Sequence, residues 1–402
     1  MRKLICILLL CCFLLCSCGT DGGDASSNLS SKGNSSTSSK VQSEVQSEAQ
    51  SKEPVVPAVN DYSERTYMII DILDYLKLDG RYKEKKDDLN KYTGITYDNA
   101  YNCISFVADC EGDVTLSLDV KLFNADKEGW RDRYFTVYID GVRQEERLAV
   151  EGGLMVYTNC SLTVAKGLSK GKHTIEIYRQ NEANHAAMLL KSITMKGVPC
   201  EKPADRDLLI EFVGDSITAG YGNLGMSGIE NPSHAKNSDA TSTYAFLTAK
   251  NLNADITATC RSGHMFSGEK PPFSDFYNQI NWIRDNTPYT PTRHPDIVVI
   301  NLGTNDASHA DHATLADYTV KALETVKKVH PDAKIVWAYG LMGSNVEGQI
   351  MKGIQTYGGE AKGVYYCPLQ TDWSGGGGHP SLAGHKAAAD TLTKFIQDKG
   401  LV

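Results

Sequence analysis

The chain has 402 residues, 41% of them hydrophobic, with a formal net charge of -8. That length suits two folded domains with extra segments, with ample apolar material for their cores. The acidic balance and the lack of any basic stripe exclude a nucleic-acid partner.

Arg2 and Lys3 precede a short apolar run over residues 4–15, which has the form of a signal-peptide core and is too short to span as a mature helix. It closes on Leu15-Cys16-Ser17-Cys18-Gly19, which resembles a bacterial lipobox. The resemblance implies cleavage before Cys18 and lipidation of its thiol, with plain secretion as the alternative. The expected organisation is a signal peptide at 1–17, a tether at 18–54, a β domain at 55–203 and a hydrolase-like domain at 204–402. The tether is rich in Ser, Gly, Gln and Glu, contains the repeat Val-Gln-Ser-Glu, and cannot bury enough surface to order itself. Anchoring at Cys18 would place the protein on the outer face of a bacterial membrane, in contact with it only through the lipid.

Six cysteines follow Cys18: Cys103, Cys110, Cys160, Cys200, Cys260 and Cys367. None forms a Cys-x-x-Cys pair, so neither a zinc site nor any other metal is expected. Fifteen disulfide pairings remain open to six cysteines.

From about 55 to 200 the chain reads as short strands: residues 100–108, 113–123, 133–139, 145–149, 154–164 and 173–180. Turn signals separate them at Glu111-Gly112-Asp113, Asp140-Gly141-Val142 and Lys170-Gly171-Lys172. This spacing predicts an antiparallel sandwich. Residues 65–75 read equally as strand or helix. His173 and His185 are isolated, and no catalytic constellation is visible in this part.

After residue 207 the period changes. Strand-like stretches at 208–214, 255–260, 296–302, 334–340 and 364–368 alternate with helical ones at 242–252, 273–286, 315–330, 346–357 and 383–398. Five β–α repeats predict a parallel sheet with helices on both faces. A nucleotide-binding domain is the competing α/β reading. The first turn, Gly214-Asp215-Ser216-Ile217-Thr218-Ala219-Gly220, lacks the dinucleotide-binding glycine spacing and a phosphate-loop lysine. No cofactor is expected.

Candidate chemistry gathers at the carboxyl ends of these strands, where open α/β sheets bind ligands. Ser216 ends the first strand and is a candidate nucleophile, although Gly-Asp-Ser by itself also suits a helix cap. Gly263 follows the second strand in Cys260-Arg261-Ser262-Gly263, with Gly268 as a competitor. Asn305 follows the third in Gly303-Thr304-Asn305-Asp306; a turn-forming role is the plainer one. With the Ser216 N–H, Gly263 and Asn305 would make three donors for a tetrahedral oxyanion. His379 lies on a glycine-rich loop after the fifth strand and is the candidate general base. Asp372 is a possible acid behind it. Trp373 and Tyr221 are candidate sugar-binding aromatics, with Trp282 a weaker one; core packing is the competing role for each.

These four blocks, in this order, resemble the SGNH (GDSL-type) hydrolases. The resemblance implies Ser216 as nucleophile, Gly263 and Asn305 as oxyanion donors and His379 as base. The family usually carries Asp three residues before the histidine, where this chain has Gly376. A sandwich ahead of such a domain, with His379-Pro380-Ser381 and no acid, is similar to carbohydrate esterase family two. That resemblance implies a jelly-roll-like sandwich before the parallel sheet, a Ser–His dyad with the histidine held by a carbonyl in the 375–378 loop, and acetylated polysaccharides or oligosaccharides as substrates. A monomer is expected. The alternatives are an esterase acting on lipid, thioester or cell-wall esters, and a sugar-binding lipoprotein without activity.

Overall fold

The computed structural model describes residues 60–402 except 88, 124–131, 185, 269–270, 282–284 and 309–310. The leader, the tether and Cys18 lie outside the described residues, as do His185 and Trp282.

Five parallel strands form the second sheet: Leu209–Gly214, Asp255–Cys260, Ile297–Asn301, Lys334–Tyr339 and Val364–Pro368. In space the second strand comes first, followed by the first, third, fourth and fifth. Every residue of Leu209–Gly214 is buried, as expected for a central parallel strand covered on both faces. Helices Tyr244–Asn251, Leu315–Val329, Glu347–Tyr357 and Leu382–Asp398 stand close to where the sequence pattern puts them. The order of strands reverses between the first and third, and the crevice beyond their carboxyl ends is the expected ligand site.

One predicted helix is corrected. The sequence pattern makes residues 273–286 helical throughout, but the helix stops at Phe273–Asn278, and Gln279–Asn281 pairs with Asp285–Pro288 as an antiparallel ribbon. The Arg81 guanidinium takes the carbonyls of Tyr277 and Gln279, and Gln279 has extended dihedrals (φ -112°, ψ 153°).

The antiparallel β region ahead of this sheet is also present, as eleven hydrogen-bonded strands among the described residues. Its core is built from alternating inward residues such as Leu116, Leu118, Val120, Ile175, Ile177 and Ile193. Two expected turns are corrected. Glu111-Gly112-Asp113 and Lys170-Gly171-Lys172 lie inside long strands, Cys103–Leu122 and Thr158–Arg179, which stay paired on either side of shifts in register. The glycines bend these strands as bulges and do not reverse them. Asp140-Gly141 does reverse the chain, between strands Asp132–Ile139 and Val142–Arg143. A further strand, Ala186–Glu201, has no counterpart in the sequence pattern, which Gly197 and Pro199 interrupt; it pairs along Cys103–Leu122. Residues 65–75 combine both readings, with strand Glu64–Met68 leading into 3-10 turns over Ile69–Tyr75.

The two sheets share a core. Tyr101, Cys103 and Tyr178 of the β region are buried in one cluster with Phe212, Tyr244 and Phe246, and Tyr178 meets Phe246 edge-on at 5.0 Å. Charged groups complete the junction. Arg81 Nη2 donates to Glu211 Oε1 at 2.9 Å, both side chains being 0% exposed. The guanidinium also lies 4.3 Å from the centre of the Tyr289 ring. Asp255, fully buried at the start of the second parallel strand, receives Lys77 at 2.6 Å, Arg293 at 2.7 Å and Arg206 at 3.0 Å. All six cysteines among the described residues are free thiols.

Removing one member of a buried ion pair strands the other charge. Arg81→Met is expected to lower unfolding stability by about 3–5 kcal/mol in urea titrations, and Arg81→Met with Glu211→Leu to recover a large part of that loss.

Candidate functional site

The first parallel strand ends at Gly214, and Asp215 caps the short helix Ser216–Ala219 by accepting the Ile217 N–H at 2.9 Å. The capping role expected of a Gly-Asp-Ser turn is thus filled by the aspartate, and the serine beside it is left for other contacts. Ser216 is buried but for 7% of its surface, and its Oγ lies 2.9 Å from His379 Nε2.

His379 follows the turn Gly376–Gly378. Its Nδ1 faces the Gly377 carbonyl at 3.3 Å, so the Nδ1–H tautomer leaves Nε2 as acceptor toward Ser216. Tyr221 sits against the imidazole, with ring centres 4.4 Å apart, and so packs on the histidine. Burial lowers the His379 pKa, and the Gly377 hydrogen bond opposes this in part. The neutral form, which a general base needs, is favoured.

Asp372 is engaged elsewhere. Oδ1 accepts the Ser374 N–H and hydroxyl, and Oδ2 accepts the Ser381 N–H at 2.9 Å and hydroxyl at 2.6 Å. Burial would raise its pKa, but these four bonds outweigh burial and hold it well below the usual carboxylate range. Asp372 therefore ties the loop to the start of helix Leu382–Asp398, and its carboxylate makes no hydrogen bond to His379. Gly376, where the resemblance would place an acid, has no room for one. A Cβ there would stand 2.9 Å from the Gly222 carbonyl oxygen, which accepts the Gly376 N–H.

Asn305 opens a 3-10 turn after the third strand. Its Nδ2 donates to Asp215 Oδ2 at 3.1 Å and to the His264 carbonyl at 2.9 Å. Three strand ends are thus joined through one amide. Both N–H bonds of that amide are occupied, contrary to the expectation that it presents an open donor, because the buried carboxylate of Asp215 competes for it. Burial and the nearby Asp306 carboxylate push the Asp215 pKa up to about 7, opposed by the Ile217 N–H. Gly263 adopts a left-handed conformation (φ 79°) with open space where a side chain would be, so backbone geometry is its reason to be glycine. Gly268, its competitor, lies five residues further on, beside the Pro271 carbonyl. Trp373 is 60% exposed, and its indole lies 3.7 Å from where a Gly343 side chain would begin.

Two contributors to the site are absent from the sequence reading. Tyr101 of the β region is hydrogen-bonded to the Thr218 carbonyl and sits 2.7 Å from Thr243 Oγ1, steadying the turn that carries Ser216. His264, stacked 3.6 Å from Phe276, offers the carbonyl that holds Asn305. Tyr101 is more than a hundred residues from the motif and nothing local marks it; His264 adjoins Gly263, and that adjacency is the signal that could have found it. Among the described residues no group of three His, Cys, Asp or Glu side chains is arranged to hold a metal ion.

Residues 212–387 match the model of the GDSL-like Lipase/Acylhydrolase family. The cellulase/esterase CelE of Acetivibrio thermocellus is 32% identical over 269 residues, which is 60% of this chain and 32% of that protein. An acetylxylan esterase / glucomannan deacetylase of Cellvibrio japonicus is 26% identical over 249 residues, 57% of this chain and 68% of that protein. This chain therefore spans about a third of CelE and about two thirds of the Cellvibrio enzyme. Among solved structures, an acetyl xylan esterase from Butyrivibrio proteoclasticus superposes with a TM-score of 0.71 at 20% identity, covering 84% of this chain and 99% of that one. A family two carbohydrate esterase from Clostridium thermocellum, solved with cellohexaose, gives a TM-score of 0.69 at 23% identity over 81% of this chain and 100% of that one. Residues 212–387 thus match a GDSL-like hydrolase domain, and the chain shares the fold of the solved carbohydrate esterases.

The lowered His379 pKa sets the acid limb of any reaction that uses it as base. The neutral form is lost as pH falls through that pKa, so kcat/KM for an acetyl ester is expected to hold below 6.5, the ordinary imidazole value, and then to decline. A kcat/KM–pH profile with its acid midpoint above 6.5 would contradict the assignment.

Proposed function

We propose that the protein is a carbohydrate O-acetylesterase working through a Ser216–His379 dyad. The observation that carries this reading is the 2.9 Å contact between His379 Nε2 and Ser216 Oγ at the carboxyl edge of a parallel sheet. Ser216 Oγ attacks the acetyl carbonyl while His379 Nε2 takes its proton. The oxyanion lies toward the N–H groups of Ser216 and Gly263 and the Asn305 amide, which exchanges one of its present acceptors for the substrate. His379 returns the proton to the departing sugar hydroxyl, and water then releases acetate from the acyl-enzyme by the reverse sequence. The Gly377 carbonyl holds the histidine in its tautomer. A carbonyl orients the ring as a carboxylate would, though it stabilises the imidazolium less.

A sugar ester as substrate is supported by homology to enzymes named for acetylxylan and glucomannan, and by Trp373, a largely exposed indole six residues before His379. Acetate release from acetylated xylan, acetylated glucomannan and acetylated peptidoglycan tests the reading. Release from either plant polysaccharide that falls at least about 10⁴-fold in Ser216→Ala is expected. Near-normal release by that variant would overturn the assignment, and release from peptidoglycan alone would move it to cell-wall esters.

The protein is further proposed to sit on the outer face of the membrane, held by a lipid on Cys18; the leader and the Leu15-Cys16-Ser17-Cys18-Gly19 stretch support this. Full-length protein is expected in the membrane fraction and the Cys18→Ala protein not to acquire the lipid. Unchanged metabolic labelling by a fatty-acid probe in Cys18→Ala would refute it.

A further inference from the structure

Building on the hydrolase reading, we propose that Glu182, carried by the antiparallel β region, is a positioning residue for the oxyanion donor Gly263. Glu182 lies in the connection between strands Thr158–Arg179 and Ala186–Glu201. Its Oε2 accepts the Ser262 N–H at 2.7 Å and its Oε1 accepts the Ser262 hydroxyl at 2.6 Å. Two bonds from one planar carboxylate fix both the place and the rotation of Ser262, and the next peptide is the one that presents the Gly263 N–H.

Gly263 itself is not held by packing, since the space where its side chain would stand is open. The loop is held at its two sides. After the glycine, the His264 carbonyl receives Asn305 and the His264 ring stacks on Phe276. Before it, the Arg261 N–H is held by the Gly214 carbonyl at 3.1 Å, and Glu182 is the anchor of Ser262, the residue adjoining the glycine. Without Glu182 the nearest anchor on that side lies two residues from Gly263.

Glu182 is in turn mounted rigidly. Arg179, fully buried, donates to the carbonyls of Tyr97 at 2.7 Å, Asn181 at 3.0 Å and Glu182 at 3.3 Å. Asn181 donates to the Ala235 carbonyl at 3.1 Å and accepts the Tyr134 N–H at 2.9 Å. The Gln180 carbonyl accepts the Ala240 N–H at 3.1 Å. Burial raises the Glu182 pKa, against the bonds from Ser262 and the charge of Arg261. Withdrawing a carboxylate from water in this way adds little to net stability. Its use lies in fixing geometry, because an oxyanion donor acts only when pre-placed where charge develops, and small displacements cost rate. The oxyanion site is therefore composite, with its second donor aimed from the other sheet.

The test is steady-state hydrolysis of 4-nitrophenyl acetate and acetylated xylan by the full chain and the variants Glu182→Ala, Glu182→Gln, Ser262→Ala and Ser216→Ala, with thermal melting and inhibition by a boronic acid that occupies the oxyanion position. Glu182→Ala is expected to lower kcat about 10–100-fold with KM nearly unchanged, and to weaken boronic acid binding in parallel. Glu182→Gln, whose amide oxygen still accepts the Ser262 N–H, is expected to recover most of kcat, and Ser262→Ala to lose several-fold. Wild-type kcat in Glu182→Ala would overturn the proposal. So would a loss confined to KM, or one that follows the melting temperature without rescue by Gln. If Glu182→Ala does not fold, an undiminished kcat in Ser262→Ala overturns it equally. Inactive wild type, or activity that survives Ser216→Ala, would defeat the hydrolase reading and this inference with it. Active wild type, inactive Ser216→Ala and normal Glu182→Ala would defeat this inference alone.

Discussion

The junction between the two sheets hangs on a guanidinium brought into the middle of the parallel sheet. Arg81 leaves the β region and meets Glu211 in an interior strand of that sheet, with neither side chain exposed. Glu211 also accepts the Tyr277 hydroxyl, and Arg81 takes the carbonyls at the end of the helix Phe273–Asn278. A carboxylate in an interior strand of a parallel sheet is costly unless its partner arrives with fixed geometry. Here the partner arrives from the other sheet, so Glu211 depends on the β region for its guanidinium partner. The same contact ends the helix early and begins the small antiparallel ribbon that follows.

Dependence on the β region extends to the reactive edge. Tyr101 bonds the Thr218 carbonyl in the turn bearing Ser216. Within the parallel sheet's own loops, Asp215, Asn305 and the His264 carbonyl form a chain linking three strand ends. Asp215 is close to protonation near neutrality because burial and Asp306 disfavour its charge. The immediate neighbour of Ser216 is thus both helix cap and amide holder, two tasks for one side chain. The histidine loop solves its problem with backbone alone. Gly376 lets the loop lie directly against Gly222, and Gly377 turns a carbonyl toward Nδ1. The close approach that excludes a side chain at Gly376 goes with the Gly377 carbonyl standing 3.3 Å from Nδ1.

Much of the parallel sheet and its reactive edge is legible in the amino-acid sequence. The parallel strands carry continuous apolar runs such as Ile297–Asn301, and the helices between them carry their own period, so local pattern suffices to place them. Ser216 and His379, 163 residues apart, are paired by strand order and loop position, and they meet at 2.9 Å. The β region is less readable. Glycines at 112 and 171 look like turns in a sequence, but neighbouring strands that bulge at the same place keep the ladder intact through them. Strand Ala186–Glu201 is hidden by Gly197 and Pro199 for the same reason.

The sequence by itself determined the alternation of strand and helix, the strand ends that carry reactive groups and the missing acid at Gly376, because these depend on local periodicity and on residue identity. Tertiary structure decided which atoms those groups address. Asp372 could serve histidine or serines as far as its neighbours in sequence go; the Ser381 hydroxyl, 2.6 Å away at the helix start, takes it. Asn305 reads as an open amide, and Asp215 and His264 close on it from either side. Tyr101, Arg81 and Glu182 carry no local signal at all, since each acts on a partner at least 80 residues distant along the chain. Such partners are selected by how two sheets dock, and the apolar pattern of either one alone does not contain that information.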